Sequence, residues 1–275
     1  MLSYRHAFHA GNHADVLKHI VLAEVLHYQT AKGKRLWYID THAGAGHYRL
    51  DSTGESAEGI ARLWDVPDLP DAVQRYVDAV RRCNPDGRLE NYPGSPRIAC
   101  DAVNPGDRLW LSELHPADHA TLAAGFKHDA HVRVQKIDGF TSLRALLPPE
   151  PRRALVMFDP SYEVKNDYSR VIAALRDARQ RFATGVYATW YPQLKRRESE
   201  KLPDELREVA GPRWLHATLT VRTASGERAG LFGSGMFVVN PPHTLPATLA
   251  TVLPRLVTLL GQDDGAGFTL EAELP

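Results

Sequence analysis

The chain has 275 residues, is 43% hydrophobic, and carries 33 Lys+Arg against 33 Asp+Glu, a formal net charge of zero. That length reads as a single domain over residues 1–275, one α/β core with an insertion, and the balanced charge excludes a polybasic protein that holds nucleic acid by bulk electrostatics alone. Two cysteines, Cys83 and Cys100, are too few for a disulfide framework or a zinc ribbon, and no apolar run approaches the roughly 18 residues of a membrane span, so a soluble, cytoplasmic protein is expected. Residues 1–31 form an N-terminal helical segment. Its first twelve residues are rich in aromatics and histidine, and then Val16, Leu17, Ile20, Val21, Leu22, Val25 and Leu26 recur at helical spacing. They predict a helix from His13 to Thr30, with Asn12 and Asp15 suited to its first turn. His6, His9, His13 and His19 lack the Cys or acidic partners that would complete a metal site, so no metal is expected.

A buried strand, Arg35–Asp40, runs into Thr41-His-Ala-Gly-Ala-Gly46. A strand ending in an acid before a glycine turn matches the first unit of a Rossmann-like nucleotide-binding fold. The spacing is not that of a dinucleotide fingerprint, and no helix opens directly on the loop to hold pyrophosphate. The ligand expected is an adenosine without phosphate. Residues 47–93 read as a helical insertion closed by the turn Asn84-Pro-Asp-Gly87. In Tyr92-Pro-Gly-Ser-Pro96, Ser95 is placed as the N-cap of the helix that follows. The next strands are Arg108–Glu113, Val132–Ile137 before Asp138-Gly139, and Leu155–Phe158 before Asp159.

Four successive strands therefore end in Asp40, Glu113, Asp138 and Asp159, which a mostly parallel sheet brings to one edge. Open α/β sheets bind ligands there, and repeated acids beside a glycine turn suit a ligand with many donors. Glu113 follows the strand after the glycine loop, where a ribose diol needs an acceptor. Further on come a helix from Asp167 to Phe182, a strand from Gly185 to Tyr191, and a basic cluster, Gln193-Leu-Lys-Arg-Arg197. The chain closes with a hairpin of Trp214–Arg222 and Met236–Asn240 that supplies an antiparallel last strand, then a helix from Thr244 to Leu260 interrupted by Pro246 and Pro254.

The stretches MLSYRHAFHAGNHADVLKH, YIDTHAGAGHY, YPGSP, LSELHP, DGF, Asp159-Pro-Ser-Tyr162 and SGMFVVNPP resemble the RlmJ family of 23S rRNA (adenine-N6)-methyltransferases over nearly the whole chain. The resemblance implies a Rossmann-like core dependent on S-adenosylmethionine, with a small helical insertion. It implies cofactor contacts at His19, His42, Ser95, Glu113, Asp138, Gly139 and Asp159, and RNA contact at Tyr4, with Lys18 near the site. Catalysis would use Asp159, the Pro160 carbonyl and Tyr162, the last stacking on an extruded adenine. The partner implied is 23S rRNA free of ribosomal proteins, met by a monomer, without metal or membrane. The family's fourth motif is Asp-Pro-Pro-Tyr; Ser161 replaces its second proline here and adds backbone freedom and an N–H donor. Asn240-Pro-Pro-His243 is spelled similarly but follows the wrong strand and has no aromatic at its fourth place.

Overall fold

The computed structural model describes residues 6–51, 53–224 and 230–274. A short helix α1 (His6–His9) precedes α2 (His13–Thr30), which starts where Asn12 accepts hydrogen bonds from the N–H groups of Ala14 and Asp15. Strand β1 (Trp37–Asp40) leads to the insertion, made of β2 (His47–Arg49), two 3-10 turns, α3 (Asp71–Arg82) and β3 (Asn91–Pro93). Then come α4 (Ser95–Ala102), β4 (Arg108–Ser112), α5 (Pro116–Gly125), β5 (Val132–Gln135), α6 (Gly139–Leu146) and β6 (Ala154–Phe158). The chain continues through α7 (Asn166–Arg181), β7 (Val186–Gln193), α8 (Arg197–Ala210), β8 (Trp214–Thr220), β9 (Gly233–Val239), α9 (Leu245–Leu260) and β10 (Gly267–Glu273).

One eight-stranded sheet has the order β10-β8-β9-β7-β6-β1-β4-β5. Strands β7, β6, β1, β4 and β5 are parallel to one another, whereas β9 pairs antiparallel with β7 and β8, and β10 with β8. Every residue of β6 is buried, as its unbroken apolar run requires at the centre of a sheet covered on both faces. Leu155 and Met157 face one cluster with Leu17, Leu22, Val252 and Leu256, while Val156 and Phe158 face the other with Val171, Leu175 and Leu206. Each of these fully buried side chains contributes on the order of 1.5–3 kcal/mol. Among the described residues no helix is long and apolar enough to cross a membrane.

The α/β class with a largely parallel sheet agrees with the sequence reading, but three details differ. Strand β10, exposed along most of its length, extends the antiparallel end beyond the expected hairpin. Helix α9 is continuous rather than interrupted. Pro246 lies in its first turn, where no donor is needed, and Pro254 sits on the exposed face, where water can satisfy the carbonyl left without a partner. Its buried face (Leu245, Leu249, Val252, Leu253, Leu256 and Leu260) stays in register through the proline. Gly94, not Ser95, caps α4, and Ser95 is the first residue of that helix.

The antiparallel end carries a buried histidine. His216 of β8 is 5% exposed, its Nε2 lies 2.7 Å from Tyr191 Oη and its Nδ1 3.3 Å from Arg207. Arginine only donates, so Nδ1 is the acceptor and Nε2–H donates to the tyrosine. Burial, reinforced by Arg207, pushes this imidazole down to about 4. The unfolded chain therefore takes up a proton near 6.5 that the native chain refuses, and the contribution to stability is complete above 6.5 and lost as pH falls toward 4. Between pH 7.5 and 5.0 the urea-unfolding free energy is expected to drop by about 2 kcal/mol on account of His216, and His216→Gln should flatten that slope by the same amount. An unchanged slope in the variant would refute the assignment.

Candidate active site at the carboxyl edge of the parallel strands

The loop 41–46 is the hub of this edge. Thr41 N and its hydroxyl donate to the Met157 carbonyl of β6, and Ala43 N donates to the Ser112 carbonyl of β4. Gly44 N donates to Glu113 Oε2 at 2.8 Å. Gly44 and Gly46 have positive φ, +60 and +74, and a Cβ on Gly44 would lie 2.2 Å from Tyr48 Oη. At the start of α6, a Cβ on Gly139 would lie 1.8 Å from the Thr41 carbonyl oxygen. The loop between β5 and α6 can approach β1 this closely only through glycine.

The four acids share this edge, since β6, β1, β4 and β5 are parallel neighbours, but their carboxylates have different employment. Asp40 is fully buried and accepts from Tyr38 Oη, Ser95 Oγ and His42 N, so it shapes the loop from beneath. Burial raises its pKa in spite of those donors. Glu113, likewise raised by burial, accepts from Gly44 N and from His115 N at 2.6 Å. Asp138 caps α6 through Phe140 N and Thr141 N and pairs with Arg170 of α7, whose guanidinium lies 4.6 Å from the centre of the Phe140 ring. Although burial opposes its charge, Arg170 and the capping donors hold the Asp138 carboxyl below the usual aspartate value.

Asp159 is bonded to a residue 141 positions earlier in the chain. Its Oδ2 accepts from Lys18 Nζ at 2.7 Å, and Lys18 also reaches Asp15 Oδ1 at 2.7 Å. The Lys18 side chain is 4% exposed. Burial disfavours its charge, but the two carboxylates hold its pKa well above the ordinary lysine value. Lys18 Nζ also lies 5.3 Å from the centre of the Trp190 ring. Trp190 follows Thr189, the partner of Phe158, so it is level with Asp159 on the adjacent strand, and its Nε1 is buried without a hydrogen-bond partner among the described residues.

Several candidates stand differently from their sequence-based roles. Tyr162 is 1% exposed, has φ +54, packs against Tyr168 and Trp190, and donates its hydroxyl to the Trp190 carbonyl at 2.8 Å. In this conformation it anchors the turn from inside and offers no open face to a base. His19 is 1% exposed with Nδ1 at 2.7 Å from Tyr92 Oη, and Ser95 is 5% exposed and donates to Asp40. His42 is hydrogen bonded to Thr41 Oγ1 and meets the Phe140 ring edge-on; desolvation pushes its pKa down to about 4. Tyr4 lies outside the described residues. Asn240-Pro-Pro-His243 ends β9, which runs antiparallel to β7 and so terminates at the opposite edge, with Asn240 Nδ2 donating to the Ala183 and Gly185 carbonyls.

Sequence reasoning passed over Leu114 and Ile137, large apolar residues 53% and 39% exposed. Each adjoins one of the acids, Glu113 or Asp138. Exposed apolar surface beside a strand-end carboxylate is the pattern of a site for a flat ring with polar edges. An apolar residue next to each acid was the available signal. Trp190, Phe140 and Arg170 carried no comparable signal, because only the fold brings them to this edge.

The family model described as "Ribosomal RNA large subunit methyltransferase D, RlmJ" matches residues 33–271. The chain is 45% identical over 277 residues to Ribosomal RNA large subunit methyltransferase J of Haemophilus influenzae, covering 98% of each, and 46% identical over 261 residues to the protein of the same name from Escherichia coli K12, covering 93% of each. A crystal structure of protein LPL1258 from Legionella pneumophila superposes with a TM-score of 0.91 at 37% identity, over 96% of this chain and 98% of that one. With its glycine hub, its acid-tipped parallel strands and this likeness over almost its full length, the chain belongs to the RlmJ family of ribosomal RNA large subunit methyltransferases.

Proposed function

We propose that the protein transfers a methyl group from S-adenosylmethionine to N6 of a specific adenine in 23S rRNA, acting as a monomer on RNA free of ribosomal proteins. The observation that carries this reading is the Asp159–Pro160 turn, at the end of the buried strand β6 and bonded through Lys18 to α2. The strand-end residues fit the methyl donor. Gly44 and Gly139 leave room that a Cβ would fill, Glu113 is an acceptor for ribose hydroxyls, Asp138 is one for an adenine amino group, and Leu114 and Ile137 supply apolar surface for the ring. S-adenosylmethionine, when bound, supplies a sulfonium methyl already activated by positive charge.

The chain's own residues must make the adenine amine nucleophilic, because its lone pair is delocalised into the ring. The Asp159 carboxylate and the Pro160 carbonyl are two acceptors for the two N6 hydrogens and would draw that nitrogen toward sp³ geometry. Lys18 occupies one lone pair of Asp159, and a carboxylate has several. Its positive charge lies against that carboxylate. Asp159 then orients the amine first and takes a proton after methylation has made N6 acidic. Trp190, level with Asp159, offers aromatic surface for the target base, an interaction worth about 1–3 kcal/mol. Tyr162 keeps the turn in shape, and Ser161 Cα–N freedom is restrained by the buried residues on either side, Pro160 and Tyr162. No step calls for a metal.

The test is transfer of labelled methyl from S-adenosylmethionine to unmodified 23S rRNA, read as N6-methyladenine. Asp159→Asn is expected to lower turnover about 100-fold or more while S-adenosylhomocysteine affinity stays within about threefold; near-normal turnover would remove Asp159 from the chemistry, and no transfer by the wild type to any RNA would refute the reading. Lys18→Met removes the compensating charge from two buried carboxylates. It should cost about 3–5 kcal/mol in chemical denaturation at pH 7, and an unshifted midpoint would show that the ammonium does not compensate the Asp15 and Asp159 carboxylates.

A further inference from the structure

We propose that Arg62 and Arg222, which flank His13 at the start of α2, form a clasp for the phosphate backbone of the RNA strand that carries the target adenine. This deepens the reading of the protein as an RNA methyltransferase and rests on it. The division of the carboxyl edge gives the direction. Glu113 and Asp138 follow β4 and β5, on one side of β6, and in that reading they hold the methyl donor. The strand ends on the other side, at β7, β9 and β8, are then left to the polynucleotide. Arg222 stands there, two residues beyond Thr220, which Gly233 of β9 sets level with Gln193 at the end of β7. His13 precedes Lys18 by five residues, about 7.5 Å along the helix axis, and Lys18 is bonded to Asp159.

Distant segments deliver the clasp. Arg62 ends the second 3-10 turn of the insertion (Ile60–Arg62), which the bond from Ile60 N to the Gly11 carbonyl holds against the start of α2. Each guanidinium is placed by a main-chain carbonyl, Arg62 by Gly261 at 3.3 Å and Arg222 by Leu231 at 3.0 Å, and neither forms an ion pair among the described residues. One carbonyl takes one of five donors, so most of each fork remains for a phosphate. The acids nearby have bonds of their own: Glu55 with His9 and Asn12, Glu58 with Gln262, and the exposed Asp263 with the N–H groups of Thr223 and Gly265. His13 is 5% exposed; burial, then Arg222 and Arg62, push its imidazole down to about 4 against the pull of Glu55 and Asp15. Two cations thus gather around an uncharged ring, an arrangement that an anion from outside would complete. Phe8, 46% exposed, adjoins His9 at the border of the cluster, and an exposed ring beside paired cations is the composition of a single-strand path. In a chain of zero net charge, such local phosphate contacts must supply the electrostatic share of binding.

The test uses the full-length protein and an unmodified 23S rRNA substrate, with kcat and KM for RNA measured over a range of salt. Arg62→Gln/Arg222→Gln keeps a donor for each carbonyl and removes both charges. It is expected to raise KM for RNA roughly tenfold with kcat within about twofold, and to reduce the slope of log KM against log salt by about 1.4, two phosphate contacts on a single strand. Affinity for S-adenosylhomocysteine should hold, and the charge-retaining pair Arg62→Lys/Arg222→Lys should keep the wild-type slope. An unchanged KM and slope in the glutamine pair would overturn the clasp, as would a lysine pair that behaves like the glutamine pair. A measurement on the wild type alone guards against a variant that fails to fold: ethylating single phosphates of the substrate should block binding at phosphates flanking the target adenine, and binding indifferent to ethylation there would also overturn the clasp. Wild-type protein that methylates no RNA would sink the underlying reading itself, a result distinct from all of these.

Discussion

The structure depends on one buried ammonium. Lys18 sits one helical turn from Asp15 and 141 residues from Asp159, and it bonds to both. Asp15 in turn accepts from Gly11 N, whose carbonyl receives Ile60 N from the insertion. The N-terminal segment, the insertion and the turn after β6 are thus joined through a few polar contacts in an otherwise apolar interior. Such a cluster is not a source of large net stability, since an apolar replacement of equal volume is often as good. What it supplies is geometry: α2 has one register against the sheet in which all three charges are satisfied, and that register fixes the Asp159 carboxylate at the carboxyl edge of the parallel strands.

Beside this charged link, the site is built largely by groups that never face outward. Asp40 accepts from Tyr38, Ser95 and His42 N, and thereby sets the course of the glycine loop above it. Tyr162 holds the Asp159 turn by a bond to the next strand, and His19 and Tyr92 brace α2 against the insertion. The outward-facing groups are then few: Glu113, Asp138 and Asp159, with apolar surface from Leu114 and Ile137.

Much of this was legible in the chain. The helix 13–30 announces itself by apolar spacing and by Asn12, and β6 by an apolar run too short for a helix, because both patterns follow from local geometry. The repeated acid at strand ends pointed to one shared edge, since a parallel sheet puts all such ends together. The employment of each acid was not legible, because it depends on partners such as Ser95 and Arg170 that only tertiary structure delivers. Tyr162 looked like a stacking platform by its place in the motif, and its inward turn is set by the hole between Tyr168 and Trp190. Strand β10 escaped because it is an edge strand with little buried surface, and α9 seemed broken because Pro254 gives no sign in the sequence of which face it occupies.

The insertion leaves the core at His47 and returns at Pro93, and those two residues are direct partners in the β2–β3 ladder. A segment whose entrance and exit are zipped side by side behaves like a pouch with a drawn mouth: what hangs beyond the seam can lengthen or shorten without tugging on the sheet. The insertion is also tied back to the rest of the chain, through Ile60 N to the Gly11 carbonyl, Arg75 to Glu24 and the hydroxyl chain from Tyr76 through Tyr92 to His19. The turn at Asn84–Gly87 is tied to the end of that seam through Asn91, and a side chain at Gly87 would meet open space. A longer turn at Gly87 would therefore project outward, leaving the carboxyl edge of the parallel strands as it is.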